Sequence, residues 1–314
     1  MTPHDPHDAI VAGAPTRPPR PVRGRRARRA LVAVVALGSL AGGLGCLAVG
    51  VSGADSAVGA AKTSQAPYTR RTVTVPLPGN NGSRRVLVYT NTTTDSAQIP
   101  VVYLLHGLPG RPEDFESAGL LGALDHYAAA GGRPLVVAAP DGKGAKHYDT
   151  EWADSADRRD LQETFVLQRV IPAVEGANVR DAAHRAIAGF SMGGYGATNI
   201  ALRHPTSFGQ LISIAGYYHV DDPSGVFAGR PAEIAANSPD RHAGSARHLR
   251  VLLTDGVEEN EPLIQGEVDR FARLLRRHHV AVAVVETPGR HDLGYLRHQL
   301  PTILSFLARG WPAV

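Results

Sequence analysis

From residue 68 onward the apolar positions follow two alternating rhythms. Short runs of β-branched and aliphatic residues at 72–75, 85–89, 99–105, 135–139, 186–188, 211–214, 251–253 and 280–285 read as strands. Between the later runs, apolar residues recur at helical spacing over 116–130, 158–174, 192–204, 262–278 and 296–308. Strands this continuously apolar, alternating with helices, predict a mostly parallel eight-stranded sheet covered by helices on both faces. The first two strands have no helix between them. Pro78-Gly79-Asn80-Asn81-Gly82 makes a turn there, so they form an antiparallel edge. One domain spanning 68–311 accounts for the whole pattern.

The first 67 residues behave differently. Residues 1–29 are rich in Pro, His, Gly and Arg, have no periodic apolar face, and read as a disordered basic region. Residues 30–51 then form an uncharged run directly after Arg25-Arg26-Ala27-Arg28-Arg29. This run is long enough to span a bilayer, with the arginines retained inside. It also has the form of a signal-peptide apolar region followed by small residues, Val58-Gly59-Ala60, suited to cleavage. Arg28-Arg29 gives it a faint twin-arginine character. Either way, the domain beyond the 52–67 Gly/Ala/Ser linker is expected outside the cytoplasm, secreted or anchored to the membrane.

Charge sharpens this division. The chain of 314 residues carries a formal net charge of +4. Seven arginines and three aspartates lie before residue 62, leaving 26 basic and 26 acidic side chains for the rest. The folded part is therefore neutral and shows no basic stripe, which argues against nucleic-acid binding. Cys46, the sole cysteine, lies inside the apolar run, so the domain has no disulfide and no thiol nucleophile.

The candidate chemistry starts at Gly189-Phe190-Ser191-Met192-Gly193, where a strand hands over to a helix. In that setting G-x-S-x-G is a nucleophile elbow, a tight turn that holds a serine at the edge of the sheet. A serine hydroxyl is a weak nucleophile. It needs an imidazole base, a carboxylate to fix the base, and N–H donors for the oxyanion. His291 follows the last strand, and the acids Asp255, Glu258, Glu259 and Glu261 follow the strand at 251–253. The order Ser, acid, His is the order this sheet topology uses. His106-Gly107-Leu108 follows the strand at 99–105. The amides of Leu108 and Met192 are the expected oxyanion donors, and His106 is expected to support the loop by hydrogen bonding.

With these motifs in place the chain resembles the esterase family of α/β-hydrolases that includes the antigen 85 mycolyltransferases, S-formylglutathione hydrolase and feruloyl-esterase-like enzymes. The resemblance runs from near Tyr68 to the closing helix. It is carried by Leu104-Leu105-His106-Gly107, Ile187-Ala188-Gly189-Phe190-Ser191-Met192-Gly193-Gly194, His204-Pro205 with Phe208-Gly209, and Gly289-Arg290-His291-Asp292. It implies the α/β-hydrolase fold and a Ser191–His291–acid triad. Family members place the acid a few residues beyond the glycine that ends its strand, here Gly256. This implies Glu259 first, then Glu258, with Asp255 capping the turn or facing away. Glu261 reads instead as first-turn charge on the next helix. The sequence departs from antigen 85 at His106, in Asp292-Leu293-Gly294-Tyr295, and in Pro109-Gly110-Arg111-Pro112.

The resulting expectation is an extracytoplasmic serine esterase acting on a small-molecule or lipid ester through an acyl-enzyme. The alternative is an acyltransferase of the antigen 85 type, moving acyl groups to a sugar or lipid hydroxyl. A catalytically inert binding domain on the same fold is the third reading. Tyr217, Tyr218 and Trp152 are the expected substrate-binding aromatics, and residues 221–247 are expected to form a small cap with a short helix near 231–236. No cofactor is implied. Fourteen histidines invite a metal, but His219-Val220-Asp221-Asp222 and His278-His279 lack zinc-site spacing.

Overall fold

In the computed structural model, residues 65–313 are described, apart from 81 and 94. The expectations for 1–29, 30–51 and most of 52–67 concern residues outside that range. Among the described residues no helix is long and apolar enough to cross a membrane.

Eight strands form one sheet: β1 Thr69–Pro76, β2 Ser83–Thr90, β3 Val101–Leu105, β4 Val136–Pro140, β5 Arg185–Phe190, β6 Gln210–Ile214, β7 Arg250–Gly256 and β8 Val282–Thr287. They lie in the order β1-β2-β4-β3-β5-β6-β7-β8. β1 pairs antiparallel with β2, and β2 antiparallel with β4, while every pair from β4 to β8 is parallel. The central strands are buried along their whole length because helices cover both faces. Two apolar clusters result. One holds Tyr103, Ile187, Leu211 and Leu253, and the other Val102, Ala188, Ile212 and Leu252, so alternate residues of one strand feed opposite faces. This is the α/β-hydrolase fold.

The helices follow the expected pattern but differ at their ends. The run at 116–130 divides into α1 Asp114–Ser117 and α2 Leu120–Ala129 because Gly119 turns left-handed between them (φ 90°). The run at 158–174 becomes α3 Gln162–Phe165 and α4 Ile171–Glu175, joined by one π-helical stretch, Val166–Val170. α5 Met192–Arg203 follows the elbow, and α6 Pro231–Ala236 sits in the 221–247 excursion. α7 spans Glu267–Arg277 and starts later than expected, after Gly266 (φ 77°), so Glu261 lies in a preceding turn and carries no first-turn helix charge. α8, Leu293–Ala308, starts earlier than expected because the Asp292 carboxylate caps it, accepting the Tyr295 amide at 2.8 Å.

Candidate active site

The elbow depends on two close approaches. A Cβ at Gly189 would collide with the Gly193 carbonyl, and one at Gly193 with the Leu105 carbonyl, so only glycine lets β5, α5 and β3 meet there. Ser191 takes φ 59°, ψ −122°, a conformation held because its amide donates to Ile214 O at 2.9 Å and its carbonyl accepts from Tyr195 N at 3.0 Å. The hydroxyl therefore stands clear at the carboxyl edge of the sheet.

The loops after β7 and β8 are zipped together across their backbones. Val257 N donates to Thr287 O at 2.9 Å and Glu258 N to Gly289 O at 3.1 Å. That pairing brings His291 over the elbow and Glu259 behind it. His291 Nε2 lies 2.8 Å from Ser191 Oγ, and His291 Nδ1 lies 3.0 Å from Glu259 Oε2. The imidazole stacks on Phe190, with ring centroids 4.8 Å apart. The Glu259 side chain is only 4% exposed, and its Oε1 accepts the Glu261 amide at 2.8 Å. Glu258 faces outward, 3.7 Å from Arg290, and has no part in this chain of contacts. Asp255 is buried behind Glu259 and in hydrogen-bonding contact with it. Burial, then the charge of Glu259, pushes the Asp255 carboxyl up to about 7.

The loop 106–108 packs onto the elbow so tightly that a Cβ at Gly107 would lie 3.0 Å from Ser191 Cβ. His106 is buried and does not face Ser191. Its Nε2 accepts the Gly142 amide at 3.0 Å while Nδ1 donates to Gly107 O at 2.9 Å, the pattern of a neutral ring, and burial lowers its pKa. A cleft of about 520 Å³ is lined by His291 together with Leu108, Phe115, Phe190, Leu293 and Leu296. Arg111, Asp114 and Asp292 also line it, so the walls are mostly apolar with a few charged groups among them, which suits a ligand with a hydrocarbon part.

A family model described as "Putative esterase" matches residues 66–307. The chain belongs to this esterase family. It is 29% identical over 247 residues to Esterase Rv1288 of Mycobacterium tuberculosis (strain H37Rv), covering 68% of this chain and 53% of that protein. Esterase MT1326 of M. tuberculosis (strain CDC 1551) matches to the same extent. The chain thus spans about half the length of these relatives. Among solved structures it is similar to a ferulic acid esterase (TM-score 0.67, 24% identity, 78% of this chain and 99% of that one). It is also similar to an S-formylglutathione hydrolase from Agrobacterium tumefaciens (TM-score 0.66, 16% identity, 78% and 96%). A third is MPT51 of M. tuberculosis (TM-score 0.64, 18% identity, 78% and 99%).

In this esterase-family chain the expected substrate-binding aromatics lie elsewhere. Trp152 is fully buried: its indole N–H donates to His106 O at 2.9 Å and its ring packs against Gly142 and Gly196. Tyr218 is also fully buried, stacked on Phe271 (centroids 4.1 Å apart) and donating to Ser213 Oγ at 3.0 Å. Tyr217 stacks on Tyr195 and donates to Glu151. All three are absent from the cleft lining because the backbone reverses before them: Glu151, Trp152 and Ala215 all have positive φ. Tyr148 is exposed, and His147 is held by Asp160 at 3.0 Å. The apolar walls the sequence reading missed are Phe115, Phe190, Leu293 and Leu296. Phe190 carries a signal as the elbow residue before the serine, and Leu293 and Leu296 as an i, i+3 pair just past His291. His219 lies between Asp240 (3.1 Å) and Asp221 (3.4 Å), and among the described residues no three metal-ligating side chains converge.

Proposed function

We propose that the chain is a serine esterase working through an acyl-enzyme. The observation that carries this reading is the unbroken hydrogen-bonded line Ser191–His291–Glu259, ending at an apolar cleft. Ser191 Oγ attacks the ester carbonyl as His291 Nε2 takes its proton. Glu259 stabilises the imidazolium that forms and fixes the tautomer that presents Nε2. The Leu108 and Met192 amides receive the oxyanion. His291 returns the proton to the leaving alcohol, and water repeats the sequence to free the acid. The substrate is a small-molecule or lipid ester with its apolar part against Leu293 and Leu296. Residues 25–51, basic then apolar, support a site of action outside the cytoplasm, secreted or tethered at the membrane.

The same groups pass the acyl unit to an alcohol wherever a sugar or lipid hydroxyl outcompetes water in the cleft. A fluorophosphonate probe tests the core of the reading. One adduct per chain, mapped to Ser191 and lost in Ser191→Ala and His291→Ala, is the expected result. A folded wild type that takes no adduct would refute it. Adding glycerol or trehalose to the assay then separates hydrolysis, which yields free acid, from transfer, which yields a new ester.

A further inference from the structure

Glu259 has more accepting capacity than His291 uses. Its Oε2 faces the imidazole at 3.0 Å and its Oε1 takes the Glu261 amide at 2.8 Å. The third group to meet it is another acid. Asp255, 6% exposed at the end of β7, contacts Glu259 while its own Oδ1 accepts the Gly256 amide at 2.8 Å. The charges that act on Asp255 are negative: Glu259 on its own loop and Glu286, its register partner on β8. The titratable groups facing it from other elements are the hydroxyls of Tyr218, beyond β6, and Tyr295, on α8, both kept neutral by burial.

Two ionised carboxylates in such contact, out of water, repel one another strongly, so the pair must hold one proton. If Glu259 serves as the triad acid, as proposed, it has to be anionic to stabilise the His291 imidazolium, which leaves the proton on the other partner. We propose that Asp255 is a neutral carboxylic acid that donates a hydrogen bond to Glu259 and so positions it against His291. Asp255 touches neither substrate nor reacting atoms. It acts through Glu259, fixing the carboxylate with three partners on three sides. Once Asp255 ionises, above about pH 7, it can no longer donate, and its charge repels Glu259 and displaces it from His291.

The test is the pH dependence of kcat/KM for wild type, Asp255→Asn and Asp255→Ala on a chromogenic short-chain ester. Wild type is expected to fall above about pH 7, as Asp255 ionises and Glu259 loses its donor. Asp255→Asn, which keeps a donor that cannot ionise, is expected to hold a plateau on the alkaline side, with kcat within about threefold of wild type at neutrality. Asp255→Ala is expected to lose about tenfold in kcat at unchanged KM. An alkaline fall shared by wild type and Asp255→Asn, or a loss in Asp255→Asn as large as in Asp255→Ala, overturns the proposal. If Asp255→Ala does not fold, the two remaining profiles decide alone. Fluorophosphonate labelling of the wild type keeps the two readings distinct. A labelled Ser191 with unaltered Asp255→Asn behaviour removes the Asp255 role only, and an unlabelled Ser191 removes the triad and this role together.

Discussion

Glu259 and Glu151 are both buried carboxyls near the carboxyl ends of the strands, yet their surroundings set them to different tasks. Glu259 faces an imidazole that opens onto a cleft. Glu151 faces the Tyr217 hydroxyl in a closed corner beside Asp149, and burial followed by the Asp149 charge pushes it up to about 8. Both regions use positive φ, at Ser191 in one and at Glu151 and Trp152 in the other. Strain and burial are therefore common to the two. Only the first region joins its carboxyl to a base that can become a cation, and only there does the line of contacts reach a space where a substrate fits. The contrast teaches that a buried acid is read by its partner.

The largest expected effect breaks the first region outright. Ser191→Ala and His291→Ala should each lower kcat by about 10⁴- to 10⁶-fold with an unchanged far-UV CD spectrum, and the double variant should be no worse than either single. Multiplicative losses would mean that the two side chains do not act as one unit.

Exchanging the acids tests the contrast directly. Glu259→Gln should cost about 10²- to 10⁴-fold in kcat, because an amide cannot stabilise the imidazolium and offers the wrong hydrogen-bond pattern to Nδ1. Glu151→Gln should leave kcat within about threefold. Equal losses in the two variants would dissolve the comparison and place the Glu151 corner in the machinery.

How much of this contrast was legible in the chain differs by level. The central strands could be read because they are buried on both faces and so stand out as uninterrupted apolar runs, while the more exposed edge strands β1 and β8 showed only as short β-branched runs. Helix ends were less legible: Gly119 and Gly266 sit inside periodic patterns, and only their left-handed backbone shows that the pattern breaks there. Ser191 and His291 were visible because their motifs encode turn geometry, and Glu259 through its offset from Gly256. Which aromatics face the cleft was not legible. In strands, side-chain direction follows from alternation. In the 149–152 and 215–218 loops it follows from positive φ at Glu151, Trp152 and Ala215, which no periodicity announces. Those reversals send Trp152 and Tyr218 into the core, and α8 supplies the cleft wall instead. The contact between Asp255 and Glu259 was hidden similarly, since four residues apart in a loop fixes no distance.

A smaller effect concerns stability and its dependence on pH. Glu151 titrates near 4.5 in an unfolded chain and near 8 in the fold. Below about 4.5 both states hold the proton. Between there and about 8 the folded state alone does. The stability this group contributes is therefore fully present at low pH and drains away as pH rises through that window. Glu151→Gln has no such drain. Its melting temperature should match wild type near pH 4.5 and exceed it by roughly 10 °C near pH 8. A constant difference across the range would mean that Glu151 is ionised in the folded protein.

Removing the hydroxyl of Tyr217 is the finest probe of the closed corner. The ring is already held by stacking on Tyr195, centroids 4.9 Å apart and nearly parallel, so Tyr217→Phe keeps the packing and deletes only the donor to Glu151. A buried carboxyl that loses such a donor forfeits about 1 kcal/mol, which corresponds to roughly 2–4 °C in a domain of this size. Activity should not change, because the hydroxyl points away from the cleft. The informative measurement is the double-mutant cycle with Glu151→Gln. The glutamine oxygen still accepts from Tyr217, so the pair keeps its hydrogen bond when the carboxyl alone is replaced. The Tyr217→Phe penalty should therefore persist at a similar size in the Glu151→Gln background at acidic pH, where both partners are neutral. At alkaline pH the penalty should be larger in the Glu151 background, because there the hydroxyl supports a charge with no cation beside it. A penalty independent of both pH and the residue at 151 would assign the tyrosine to packing alone, and the proposed difference between the two corners would then rest on the imidazole only.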